Sequence, residues 1–296
     1  VYQRERFPIA THAPLIAAFS FCTLSFSAMA RGHVQVPAGK AIIVAFATAF
    51  IFFLQLRIAD EFKDFEDDAR YRPYRPVPRG LIGLRELGGA AIVGAVVQLL
   101  LALWLSPALL PFLLGVWVYL GVMSREFFVS RWLKAHPATY MWSHMLILPL
   151  IDLYGTACDW RVAGAPPPIG LAFLLTVSFC NGFVVEIGRK IRAPEDEEVG
   201  VETYSVLWGR PRAVAIWYTA LVVTAVFAFL AALQIRFAAF AAVLLALLLG
   251  AAAVIAVRFL RATISRRAKL IELISGVWTL LMYLSLGAVP LIVKLA

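Results

Sequence analysis

Nine apolar stretches, each long enough to cross a bilayer, govern what this chain can fold into. They lie at about 13–30, 40–58, 88–105, 107–124, 138–156, 167–188, 213–234, 237–258 and 273–293. A run of roughly 20 apolar residues spans the hydrocarbon layer as a helix. Inside lipid the backbone must satisfy its own polar groups, which leaves helices or a closed barrel. The expected fold class is all-α and integral to the membrane, nine transmembrane helices forming one domain over 1–296. A hydrophobic content of 62% excludes a water-soluble domain. The division between the third and fourth stretches rests on Pro107 and a short gap. The opening Val1-Tyr-Gln-Arg-Glu-Arg-Phe-Pro8 reads as a cytoplasmic lead-in rather than a signal peptide. Cys22, Cys158 and Cys180 have neither metal nor redox spacing and read as packing residues without a disulfide.

Charge orients the spans. With the N-terminus cytoplasmic, 22 of the 27 basic residues fall on the cytoplasmic side, which the positive-inside rule favours. The net charge of +9 is thus a topology signal and calls for no nucleic acid. The expected location is a bacterial inner membrane, with membrane lipid around the spans and the active site facing the cytoplasm. Acids are more telling, because topology does not ask for them. Of 18 acidic residues, 13 lie in two segments, Asp60 to Glu86 and Glu186 to Glu202, after the second and sixth spans. Two charged loops at matching ends of two three-span units suggest a site built from both. The active-site loops are expected at about 57–88, 124–137 and 189–212.

The sharpest pattern is Arg57-Ile-Ala-Asp-Glu-Phe-Lys-Asp-Phe-Glu-Asp-Asp68. On a helix, Asp60, Asp64 and Asp68 point roughly the same way. Converging like charges repel unless a cation sits among them, and Mg²⁺ typically takes one or two carboxylates plus substrate phosphates. A solvated acidic helix end is the alternative reading. Against it stand the preceding membrane span and the following Arg72-Pro-Tyr-Arg-Pro-Val-Pro-Arg-Gly80.

Asp60-x₃-Asp64-x₃-Asp68 followed by Arg75-Pro-Val-Pro-Arg-Gly80 resembles the first aspartate-rich motif of the UbiA superfamily of intramembrane prenyltransferases, commonly Asn/Asp-x₃-Asp-x₃-Asp then Arg-Pro-(Ile/Leu/Val)-Pro-x-Gly. The nine spans and the motif's place after the second are also similar. The resemblance implies a ring of helices around a cavity open to the cytoplasm and to lipid. It implies Mg²⁺ as cofactor, an isoprenoid diphosphate whose allylic C–O bond ionises, and a lipophilic or aromatic acceptor that captures the cation. Metal and nearby bases stabilise charge on the departing diphosphate, and a greasy cavity keeps water from the cation. By resemblance Asp60, Asp64 and Asp68 are metal ligands, Arg72 and Arg75 face the diphosphate, and Pro76 and Pro78 stiffen the return. Plain positive-inside flanking is the alternative for the two arginines.

The second loop departs from the family's pattern. Gly200-Val-Glu-Thr203 and Trp208-Gly209 match the trailing signature, but the first two aspartate positions fall on Arg189 or Lys190 and on Arg192 or Ala193. Glu186 and Asp196 remain as candidate ligands of a second metal. Arg189, Lys190 and Arg192 are candidates for direct diphosphate contact, since arginine forks match phosphate; a degenerate site with boundary bases is the alternative. In the middle loop, Lys134 and then Arg125 match the family's phosphate-reaching base. Polar groups within spans are costly and informative. Ser143, His144 and Asn181 are candidate acceptor contacts, while Asp152 is open to an interhelical hydrogen bond.

The Asp-Gly-x₂-Ala-Arg run of CDP-alcohol phosphotransferases is absent, and no broken-helix pattern with paired intramembrane charges points to a transporter. Within the family, a terpene cyclase without acceptor and phosphoribosyl transfer to a polyprenyl phosphate stay open beside prenyl transfer.

Overall fold

The computed structural model describes residues 2–296, which form helices and, among the described residues, no strand. Eight helices, or helix pairs joined end to end, are long and apolar enough to cross a membrane. The chain divides into two compact units, residues 1–28 with 35–167, and residues 29–34 with 168–296.

The first unit contains α1 (Tyr2–Arg6), α2 (Ile9–Ala30), α3 (Gly39–Lys63), α4 (Phe65–Tyr71), α5 (Leu84–Leu105), α6 (Leu110–Ser124), α7 (Ser130–Ala135), α8 (Pro137–Met145) and α9 (Ile147–Trp160). The break between α5 and α6 falls at Ser106, whose backbone is extended and whose Oγ accepts a hydrogen bond from the Ala108 amide. Pro107 then opens a short 3₁₀ turn, where its missing N–H costs nothing. The stretch expected as one span over 138–156 is two shorter helices, α8 and α9, parted at Leu146. The cause is Pro149, which cannot donate to the Met145 carbonyl and whose ring crowds it. Neither piece alone is long enough to span, so the expected ninth crossing is not one continuous helix.

Phe52, Leu109, Leu113, Ile151 and Tyr154 form the buried heart of this unit. A polar seam joins α2 to α9: Thr23 Oγ1 donates to Asp152 at 2.9 Å and Ser27 Oγ to Asp159 at 2.6 Å. Asp152 is therefore engaged in an interhelical hydrogen bond.

The second unit contains α10 (Leu171–Arg189), α11 (Tyr204–Leu207), α12 (Arg210–Gln234), α13 (Ala238–Arg261), α14 (Ser265–Leu286) and α15 (Ala288–Leu295). Helix α10 packs on α12 and α14. Gly188 is the closest point: a Cβ there would collide with Ser275 Oγ, and Trp217 Nε1 donates to that same oxygen at 2.9 Å.

Candidate functional site

The aspartate run lies where α3 ends. Asp64 is the single non-helical residue between α3 and α4, yet its amide bonds the Asp60 carbonyl and its own carbonyl accepts from Asp68. The four-residue spacing is thus kept across the joint. The three carboxylates have different surroundings. Asp60 is the most open, about half exposed, with Arg57 at 3.5 Å and Lys63 at 3.9 Å. Asp68 is buried and is held by Arg72 at 3.0 Å and, closer still, by Arg75. Asp64 lies between: burial pushes its carboxyl above the usual range, Lys63 opposes, Asp60 and Asp68 push further up, and Arg72 opposes weakly. Arg72 and Arg75, expected as diphosphate contacts, are thereby fixed by Asp68 in a rigid fork geometry.

Sequence reading passed over Glu61, which is buried at 1% exposure and accepts from Arg6 at 2.6 Å and Arg57 at 3.1 Å. It pins the short α1 to α3, and Arg79 reaches Glu5 of α1 at 2.7 Å. The available signal was the Arg57-x₃-Glu61 spacing, an i,i+4 pair on the same helix.

On the other side of α3, Lys63 Nζ meets the Tyr140 hydroxyl at 2.5 Å, and Tyr140 stacks on His144 with ring centroids 4.0 Å apart. Two expected contacts, Ser143 and His144, are thereby linked to Lys63, inside the aspartate run, through a tyrosine that no motif flagged. Both are tied down locally, Ser143 Oγ donating to the Tyr140 carbonyl and His144 Nδ1 lying 2.8 Å from it. Between α6 and α7, Glu126, Phe127 and Phe128 adopt positive φ of 48°, 53° and 62°, a left-handed turn that side chains normally avoid. That turn buries Glu126 and leaves Arg125 exposed beside α3. Of the two middle-loop bases, Arg125 faces the same cavity as Lys63, whereas Lys134 lies on the open side of α7.

In the second charged segment, which lies in the second unit, four of the six carboxylates have a partner within the unit. Glu186 accepts from Arg189 at 2.6 Å and Lys190 at 2.8 Å. Arg192 meets the Asp196 carbonyl at 3.2 Å and Glu198 at 3.3 Å. Glu197 accepts from Thr203 at 2.7 Å with Arg210 at 3.5 Å, and Glu195 accepts from the Ser265 amide at 2.7 Å. The Gly200–Thr203 signature closes this loop. Gly200 takes φ of 78°, and Thr203 Oγ1 accepts from the Val206 amide at the start of α11. One turn deeper, Asn181 is 3% exposed and neither end of its amide has a hydrogen-bond partner. Buried amides are rarely left so, and each such group asks for a partner.

Among the described residues no three His, Cys, Asp or Glu side chains converge into a ready metal cage. Mg²⁺ does not require one, because it usually keeps waters and shares its shell with substrate phosphates. Asp60 and Asp64, one helical turn apart in sequence, fit that requirement: one is open, and the charged form of the other is disfavoured first by burial and then by its acidic neighbours, a state that a cation relieves. Asp68 is committed to two arginines instead.

The sequence profile of the UbiA prenyltransferase family matches residues 18–277. None of the curated proteins matches the chain. Among solved structures, the apo form of a UbiA homologue from Aeropyrum pernix K1 superposes with a TM-score of 0.68 at 14% identity, covering 96% of this chain and 98% of the other. A structure of digeranylgeranylglyceryl phosphate synthase gives 0.64 at 15% identity, with 96% and 95% covered. A UbiA homologue from Archaeoglobus fulgidus bound to GPP and Mg²⁺ gives 0.59 at 15% identity, with 96% and 98% covered. At these identities the likeness is one of fold.

Proposed function

The chain belongs to the UbiA prenyltransferase family, and from that premise we propose that it is a Mg²⁺-dependent intramembrane prenyltransferase. It ionises an isoprenoid diphosphate and transfers the prenyl group to a lipophilic or aromatic acceptor. The observation that carries this reading is the environment of Asp64, a carboxylate raised by burial and flanked by Asp60 and Asp68 at the polar end of a membrane helix. Such a group is relieved by a cation, and a relative of the same fold is described with GPP and Mg²⁺ together.

In this reading Asp60 and Asp64 are the metal ligands, and the ion, when bound, neutralises charge on the diphosphate. Asp68 acts on Arg72 and Arg75, holding both guanidinium groups ready for phosphate oxygens without reorganisation. Lys63, steadied by Tyr140, and Arg125 add positive charge on the other side of α3. Asn181 is a substrate contact in the second unit, because its buried amide has no partner in the protein. Glu186 is already paired with Arg189 and Lys190, so a second metal is not required to neutralise it. The distribution of bases supports a cytoplasmic N-terminus.

The test is incubation of detergent-purified protein with radiolabelled prenyl diphosphates, with and without hydroxylated acceptors, across a Mg²⁺ titration. Mg²⁺-dependent release of diphosphate that an acceptor accelerates, with a prenylated product, is expected. Cyclic hydrocarbon or alcohol formed at a rate no acceptor improves would replace transfer by cyclisation.

A further inference from the structure

The segment between α6 and α8 turns its apolar side chains outward and its acid inward. The left-handed turn at Glu126–Phe128 is a conformation that persists only where its surroundings fix it. Its product is a buried carboxyl at Glu126 and a Phe128 side chain that is 78% exposed. Val129 and, on α7, Trp132 continue the exposed apolar surface, the indole being 51% exposed. Helix α7 is fastened to the protein by Leu133, which is buried. Trp132 is held outward and is not loose: its ring stacks on His136 with centroids 4.4 Å apart, and His136 Nδ1 lies 2.8 Å from the Trp132 carbonyl.

The position of the segment decides what meets this surface. Helix α6 is long and apolar enough, with its 3₁₀ turn, to cross a membrane. Its exposed stripe of Leu114, Val118 and Gly121 follows the helical spacing of a lipid-facing side. Phe128 comes four residues after Ser124, the last residue of α6, and so lies within about 14 Å of the helix end. Arg125 and Lys63 line one cavity, which places this end of α6 beside the end of α3 that carries the aspartate run.

Charge narrows the choice of partner. Arg131 and Lys134 stand one turn apart on α7, both exposed, and among the described residues neither forms an ion pair with a carboxylate. A tryptophan flanked by long basic side chains at the end of a span suits the membrane interface, where the indole lies at headgroup level and the bases reach the phosphates. Uncompensated positive charge beside exposed apolar groups fits anionic phospholipid.

We propose that Phe128, Val129 and Trp132 insert into the membrane interface beside the end of α6, with Arg131 and Lys134 on the headgroups of anionic phospholipid. Lys134, expected from the sequence to reach a substrate phosphate, meets the phosphate of a lipid instead. The anchor fixes the loop beside the aspartate run and holds whatever reaction the protein catalyses.

Spin labelling of the full chain in vesicles tests this. Cys22, Cys158 and Cys180 are buried, so a thiol introduced at the surface takes the label. Phe128→Cys, Trp132→Cys and Lys134→Cys would each carry a nitroxide in vesicles of phosphatidylcholine with phosphatidylglycerol. Collisions with oxygen, which dissolves in lipid, should exceed those with a water-soluble nickel chelate at 128 and 132, at a depth of about 5–10 Å. The order should be reversed at 134. Labels at 128 and 132 that the nickel chelate reaches as readily as at 134 overturn the insertion. Labels shielded from both reagents mark a protein contact and overturn it equally. Screening by salt should raise nickel access at 128 several-fold when phosphatidylglycerol is present, and Arg131→Gln with Lys134→Gln should abolish that response. Immersion that is the same with and without phosphatidylglycerol, at low and high salt, overturns the anionic-lipid assignment.

Discussion

The two charged loops look alike in composition and differ in how their charge is settled. In the segment from Glu186 to Arg210, four of the six carboxylates meet a base, a hydroxyl or an amide: Glu186 with Arg189 and Lys190, Glu195 with the Ser265 amide, Glu197 with Thr203 and Arg210, Glu198 with Arg192. In the segment from Asp60 to Arg75, Asp68 is held by Arg72 and Arg75, Glu61 by Arg6 and Arg57, and Asp60 more loosely by Arg57 and Lys63, while Asp64 is raised by burial and then by Asp60 and Asp68, against the pull of Lys63. Carboxylates paired in this way help to close their own loop. A loop that leaves one carboxylate raised has room for a cation from outside.

The strongest way to break this comparison is to neutralise Asp64. Asp64→Asn should lower Mg²⁺-dependent prenyl diphosphate turnover by roughly 10²–10³-fold, the usual loss when one preorganised charge partner is removed, with helix content unchanged by circular dichroism. Turnover within a few-fold of the parent protein would end the assignment of Asp64 as a metal ligand. Asp68→Asn should fail differently. It strands Arg72 and Arg75 beside a buried site and should cost about 2–3 kcal/mol of stability, read as a lower unfolding temperature that Mg²⁺ does not restore.

Acid titration sharpens the contrast. Because burial, and after it Asp60 and Asp68, raise Asp64 in the folded state, its contribution to stability is full below the ordinary carboxylate range and is lost as pH rises through the folded value. Without divalent cations, Asp64→Asn should therefore be the more stable protein at pH 7, by roughly 2–4 °C, and should lose that advantage at acid pH. Mg²⁺ should stabilise the unaltered protein and not the variant. An advantage that is the same at pH 4 and pH 7 would show that Asp64 is not raised.

Smaller effects are expected from the second loop and its helix. Arg189→Gln with Arg192→Gln should raise the KM for prenyl diphosphate about tenfold while the Mg²⁺ dependence keeps its shape; unchanged KM would make these bases boundary markers only. Asn181→Leu should reduce product formation several-fold with diphosphate affinity intact and no loss of stability, since removing an unsatisfied buried amide is close to neutral. Measured destabilisation would assign Asn181 to packing instead.

Hydropathy and charge alone determined the all-helical membrane class, most of the spans and the two segments where the acidic residues gather, because lipid imposes its length and polarity on every residue that enters it. The Asp60-x₃-Asp64-x₃-Asp68 spacing was equally legible, as the helix period survives the joint at Asp64. Only the tertiary structure decided what each charged residue meets. Asp68 belongs to Arg72 and Arg75, Glu61 to Arg6 from the far end of the chain's first helices, and Lys63 to Tyr140, 77 residues away. The broken span at Leu146 was written in Pro149, but hydropathy does not register a lost hydrogen bond. The same holds for Gln98 and Gln55: as letters they are identical, yet Gln98 Oε1 accepts from Trp117 Nε1 at 2.9 Å while Gln55 Oε1 is buried without a partner. Sequence position sets which groups a helix can present, while pairing across helices is set by packing, and only packing fixes which charges and amides remain for a ligand.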